Sequence, residues 1–124
     1  MAQERRRRRS TNAKLAITYQ LAHVRREACL DAIVLADKDG LVVAEAGDVD
    51  LCDSLAAFAP LVSRGTLPAH HPLPNTYMQV REVDFEGTPL YLASCTDSFA
   101  DTLSGNTEVW LEHTQAGISR ILAA

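Results

Sequence analysis

The stretch Asp31 to Gly47, DAIVLADKDGLVVAEAG, limits the fold more than any other part of the chain. Two short apolar runs, Ala32 to Ala36 and Leu41 to Ala44, flank Asp37-Lys38-Asp39-Gly40. An Asp-Gly pair favours a tight hairpin turn, because such turns need positive φ and glycine adopts it without steric cost. The flanking runs are rich in Val, Ile and Leu and short enough for strands. The pattern predicts a β-hairpin at the centre of the fold, with a helix-like stretch on each side.

Before the hairpin, Ile17, Leu21, Val24 and Ala28 recur at helical spacing. Ser10, Thr11 and Asn12 are three candidate N-caps, so a first helix is expected from about Asn12 to Cys29. After the hairpin, Asp50 or Asp48 can cap a second helix, in which Leu51, Leu55, Phe58 and Val62 repeat the same spacing. Pro60 removes one backbone hydrogen bond near its last turn. Ala56, Ala57 and Ala59 leave its middle small enough for close approach.

Residues 65–75, GTLPAHHPLPN, form an irregular path stiffened by three prolines. A second hairpin is expected from Thr76 to Phe85 and Thr88 to Thr96, turning at Glu86-Gly87. In its returning strand Leu90, Leu92 and Ser94 fall on one face, with Tyr91, Ala93 and Cys95 on the other. Asn106 or Thr107 can cap a last helix, with Leu111, Thr114 or Gln115, Ile118 and Leu122 as its buried stripe. Gly117 weakens that helix by ~1 kcal/mol relative to Ala, which points to close packing there. Helix, hairpin, helix, hairpin, helix is an α+β order, and its short connections place the outer helices on one sheet face and the middle helix on the other.

Charge divides the chain. Arg5, Arg6, Arg7, Arg8 and Arg9 against Glu4 give residues 1–9 a local +4, and since the whole chain is −4, the remainder carries −8. Adjacent arginines repel, so residues 1–10 read as a disordered arm and 11–124 as one domain. The arm is a candidate anion-binding segment for anionic membrane or nucleic acid, set against a plain solvated tail. An acidic body argues against a globular nucleic-acid binder. Cys29, Cys52 and Cys95 are odd in number and far apart, as expected of three reduced, buried thiols in a cytoplasmic protein. No apolar run reaches the ~18 residues of a transmembrane span.

The candidate chemistry is sparse. His70-His71 in an extended stretch would point to opposite sides, and no further ligand lies near in sequence, so no metal is expected. The aspartates at 37, 39, 48, 50 and 53 lack the calcium-loop pattern and read as turn and cap residues. His113 and Trp110 lie three apart on the last helix, an ordinary packing pair. Ser94, Ser98 and Ser104 have no GxSxG context, Cys95 has nothing basic beside it, and no P-loop occurs. The chain is expected to be no enzyme and to need no cofactor.

With that order, the chain resembles the roadblock (dynein light chain) family over roughly residues 12–123. The resemblance is carried by Asp37-Lys38-Asp39-Gly40, LVVAEAGD from Leu41 to Asp48, Leu55 to Val62, and Gly117-Ile118-Ser119-Arg120-Ile121-Leu122. It implies a roadblock/profilin-like antiparallel sheet of four or five strands, a fifth being sought in residues 97–103. It also implies a homodimer in which the edge strand after the middle helix pairs with its mate while the two middle helices lie side by side. On this chain that surface is Leu51, Leu55, Phe58 and Val62 with Tyr77, Gln79 and Arg81. Relatives regulate or scaffold small Ras-like GTPases, so the resemblance implies a non-enzymatic signalling adaptor. The alternative is a small-molecule sensor of the profilin or PAS kind, which would need an apolar pocket between sheet and helix.

Overall fold

The computed structural model describes residues 2–66, 77–96 and 106–123. In chain order the elements are α1 (Ala2–Glu27), β1 (Ala32–Ala36), β2 (Val42–Gly47), α2 (Val49–Ser63), β3 (Tyr77–Phe85), β4 (Thr88–Thr96) and α3 (Asn106–Ala123). The helix–hairpin–helix–hairpin–helix order is as the spacing predicts. The described strands form one antiparallel sheet in the order β2-β1-β4-β3. Residues 97–103, the candidate fifth strand, and His70-His71 lie outside the described residues.

Strand alternation sorts the sheet's side chains into two cores. On one face Ile33, Leu35, Leu90, Leu92 and Val83 meet Ile17, Leu21 and Val24 of α1 and Leu111 and Ile118 of α3. On the other, Ala32, Val34, Ala36, Tyr91, Ala93 and Cys95 meet Cys52, Leu55, Ala56 and Ala59 of α2. Among the described residues, two helices therefore cover one face and one helix covers the other. Because both faces of β1 are covered, all five of its residues are buried, which explains its unbroken apolar run. The small residues under α2 bring its axis close to the sheet, while larger Leu and Ile side chains fill the opposite face.

The first hairpin differs from expectation in two ways. It does not occupy the sheet's centre as a unit, for β1 and β4 are central and β2 is an edge. Its turn is also longer than a two-residue Asp-Gly turn. Asp37 N–H donates to the Leu41 carbonyl at 2.9 Å and Gly40 N–H to the Asp37 carbonyl at 3.1 Å. Asp37 Oδ1 accepts from the N–H groups of Asp39 and Leu41 at 2.9 and 3.0 Å. This is a turn followed by a left-handed residue, Gly40 at φ 81°, and the register shifts beside it between Leu35 and Ala36. A Cβ on Gly40 would come within 3.1 Å of the Ala57 Cα, so the turn lies directly against α2.

Helix boundaries also moved. α1 begins at Ala2, ahead of the Ser10-Thr11-Asn12 caps and through the residues expected to form a disordered arm. Arginine propagates a helix almost as well as leucine, and each like-charge pair costs only a few tenths of a kcal/mol. At its other end Cys29 adopts φ 55°, and Leu30 N–H reaches back to the Arg25 carbonyl at 2.9 Å. That is a Schellman-type stop, and it leaves Cys29 exposed rather than buried as expected. Cys52 and Cys95 are buried. α2 is capped by Asp48, whose Oδ1 accepts from Leu51 N–H at 3.0 Å. It continues past Pro60 to Ser63. The second hairpin turns at Glu86-Gly87, with φ 52° and 83°, the two positive values of a type I′ turn.

Candidate functional site: the outer edge of β3

Among the described strands β3 pairs only with β4, so its other side is a sheet edge. The two-residue turn makes Phe85 and Thr88 a hydrogen-bonded pair, and the register runs without a shift from there to Tyr77 and Thr96. Phe85, Val83, Arg81 and Gln79 therefore direct their backbone N–H and C=O groups to β4. Asp84, Glu82, Val80 and Met78 direct theirs outward.

A groove of about 660 Å³ runs along this edge. Val62 of α2 lies on one flank, Leu111 and Gln115 of α3 on the other, and Met78 to Glu82 form the floor. Side chains alternate across the strand: Met78 and Val80 pack with the α2 core, whereas Val83 and Phe85 join the α1/α3 core. Gln79 and Arg81, having the parity of Val83, lie on the α1/α3 side.

Arg81 has a specific task there. Its Nε donates to Gln115 Oε1 at 2.8 Å, and Gln115 Nε2 donates to the outward carbonyl of Glu82 at 2.7 Å. One helix side chain thus occupies one position of the strand edge, held in place by the neighbouring arginine. Spacing along the sequence predicted Gln115 only as an alternative to Thr114 in a buried stripe. Thr114 takes that buried place, donating from Oγ1 to the Trp110 carbonyl at 2.6 Å.

The residues expected on a partner surface therefore divide. Leu55 is fully buried in its own chain and is a core residue, because it is the position of α2 that points straight at the sheet. Leu51, Phe58 and Val62 are half-buried at the margin of the α2–sheet interface. Tyr77 pairs with Thr96 at the start of β3. Gln79 and Arg81 are half-buried on the face opposite α2, so the two groups meet only at the groove, through Val62. Trp110 makes its ring contact with His23 of α1, at 6.2 Å and 74°, a long-range partner that spacing on α3 could not reveal.

The far edge has a different chemistry. Glu45 of β2 lies opposite Val34, on the α2 side, and its Oε2 is buried without a hydrogen-bond partner among the described residues. Cys52 Sγ donates to the Ala46 carbonyl at 3.6 Å. Burial pushes the Cys52 thiol up to about 11, aided by the carboxylate of Glu45 and then by Asp48 and Asp53. A thiol held protonated in this way is a poor nucleophile and suits a packing role. Among the described residues no group of three His, Cys, Asp or Glu could hold a metal ion. No helix among them is long and apolar enough to cross a membrane.

This arrangement matches known structures. Myxococcus xanthus MglB superposes with a TM-score of 0.58 at 16% identity, covering 88% of this chain and 89% of that one. A structure described as MglB with tetrameric arrangement gives 0.59 at 16% identity, covering 90% of each chain. The fold is the roadblock fold. No family model matches the sequence, and no curated protein matches it. The roadblock likeness is thus carried by topology and packing, with little identity of side chains, and it extends over nearly the whole length of both MglB chains.

Proposed function

We propose that this chain is a non-enzymatic adaptor of the roadblock type, acting in the cytoplasm as a homodimer that binds a small Ras-like GTPase or a related signalling protein. The observation that carries the reading is the β3 edge: nine residues in uninterrupted register, on a roadblock fold, with a groove of mixed polar and apolar lining beside its first half. Unpaired strand groups of this kind are satisfied by a further strand. Two β3 strands paired about a two-fold axis would make one continuous sheet and bring the α2 helices together. The half-buried Leu51, Phe58 and Val62 would then contribute to the joint surface. Self-association is also consistent with the tetrameric arrangement named for one MglB structure.

Two measurements test it. Sedimentation equilibrium of the full chain at micromolar concentration should give twice the chain mass, and a monomer would remove the dimer. Pull-down against Ras-like GTPases of the same cell, loaded with GDP or with a GTP analogue, should retain at least one. Failure in both nucleotide states would remove the partner. The sensor alternative finds less support, since Ala56 and Ala59 are fully buried against the sheet where a ligand chamber would have to open.

A further inference from the structure

We propose that the Arg81–Gln115 pair sets the register in which a second copy of this chain adds to β3, by closing the Glu82 position and leaving Met78 and Val80 for docking. The inference rests on the homodimer reading above and adds to it which residues meet.

The geometry restricts the choices. In an antiparallel ribbon built on this edge, each hydrogen-bonded pair must join two outward-facing residues, which here are Met78, Val80, Glu82 and Asp84. Centring the two-fold axis on Val80 would pair Met78 with the partner's Glu82, where Gln115 Nε2 already occupies the carbonyl at 2.7 Å. Centring it on Arg81 would again require Glu82, and would place two guanidinium groups directly opposite each other, an unfavourable like-charge pair. Centring it on Gln79 needs neither. Met78 then pairs with the partner's Val80 and Val80 with the partner's Met78, each pair exchanging two main-chain hydrogen bonds. Apolar side chains meet on the α2 face, continuous with Val62 in the groove, and the two Gln79 amides meet at the axis. This self-complementarity is what points to a second copy as the occupant.

Gln115 comes from 33 residues further along the chain than the carbonyl it caps, so α3 controls an edge to which it contributes no strand. Arg81 holds the amide oxygen at 2.8 Å and thereby orients the Nε2 group toward Glu82. Arg81 and Gln115 act here as positioning residues.

Disulfide trapping in the full chain tests the register. Cys29 is exposed, so Cys29→Ser first removes the background thiol. In that background Gln79→Cys and Val80→Cys are oxidised separately under mild conditions. At a Gln79 axis, residue 79 and its copy form a non-hydrogen-bonded pair with Cα atoms about 4.5 Å apart, within disulfide reach. Residue 80 and its copy are then roughly 8 Å apart, beyond it. Linked dimer should therefore be about tenfold more abundant for Gln79→Cys than for Val80→Cys. Adding Gln115→Ala, or the length-preserving Gln115→Met, should raise linking at residue 80 severalfold as the Glu82 position opens. Equal or stronger linking at residue 80 with Gln115 intact, or no change when Gln115 is replaced, overturns the proposal while a dimeric mass preserves the homodimer reading. A monomeric mass with no linking at either position overturns both.

Discussion

The two edges of the described sheet face the same difficulty, a row of backbone groups with no further strand beside them among the described residues, and they meet it differently. β2 has six residues, a register shift beside its turn, Gly47 at φ 121° at its end, and a carboxylate turned inward at Glu45. Short length, irregularity and an inward charge all discourage a further strand. β3 has nine residues and no shift, and among its outward positions only Glu82 is capped by a described side chain. Edge status alone therefore does not make a docking site. What distinguishes β3 is a regular apolar half, Met78 to Val80, beside a groove that α2 and α3 leave open.

The largest expected effect attacks the blunted edge. A Cβ on Gly47 would lie 2.6 Å from the Asp31 carbonyl oxygen, at a φ that other residues rarely adopt. Gly47→Ala should cost more than about 3 kcal/mol in urea denaturation, because backbone rather than a movable side chain must give way. A cost near zero would mean that β2 adjusts freely, and that the contrast between the edges is smaller than described.

The second attacks the open edge. Val80→Pro removes an outward N–H while leaving the β4 ladder its hydrogen bonds, and proline is tolerated on edge strands. Dimer affinity should fall by about 2–3 kcal/mol, roughly a hundredfold, with unchanged far-ultraviolet circular dichroism. An unaltered dimer would place the interface elsewhere.

The third concerns Glu45 and Cys52. With the folded Cys52 pKa near 11 against an ordinary 9.0, the folded state holds this proton more tightly than the unfolded one. The contribution to stability is therefore complete below pH 9 and is lost as pH rises through about 11. Glu45→Gln removes a neighbouring negative charge, so thiolate absorbance of Cys52 should appear at lower pH than in the parent chain. The same change replaces a buried, unpaired carboxylate oxygen and should raise stability at neutral pH by about 1 kcal/mol. An unmoved thiolate titration would show that the carboxylate does not act on the thiol.

The smallest effect lies in the β3–β4 turn. Glu86 carries φ 52° in a type I′ turn, where asparagine is better suited. Glu86→Asn should stabilise the chain by about 0.5 kcal/mol in thermal unfolding and leave its mass in solution unchanged. A loss of stability would remove the type I′ assignment on which the outward positions of β3 depend.

Local chemistry made most of the fold legible. Alternation of apolar residues assigned the faces of β4, helical spacing found the stripes of α1, α2 and α3, and the Asp48/Asp50 pair marked the start of α2 within two residues without deciding which aspartate caps it. What was not legible depended on contacts distant in sequence. The left-handed stop at Cys29 needs no glycine to announce it, so an exposed thiol read as a buried one. Periodicity gave Leu55 and Phe58 to one stripe but could not say that the first points into the sheet and the second lies at its margin. The Arg81–Gln115 contact joins residues 34 apart, and neither local spacing nor composition encodes it. Family resemblance pointed to the β3 edge, while the structure shows which of its backbone groups are engaged.

Amide hydrogen exchange at Val80, measured across a range of protein concentration, tests the docking edge most directly. The Val80 N–H faces outward, so it should be protected in concentrated solution and should exchange rapidly once dilution separates the copies. Val83, directed to β4, should stay protected throughout. A Val80 amide that exchanges at one rate at every concentration, in a sample whose mass shows a dimer, would contradict the account.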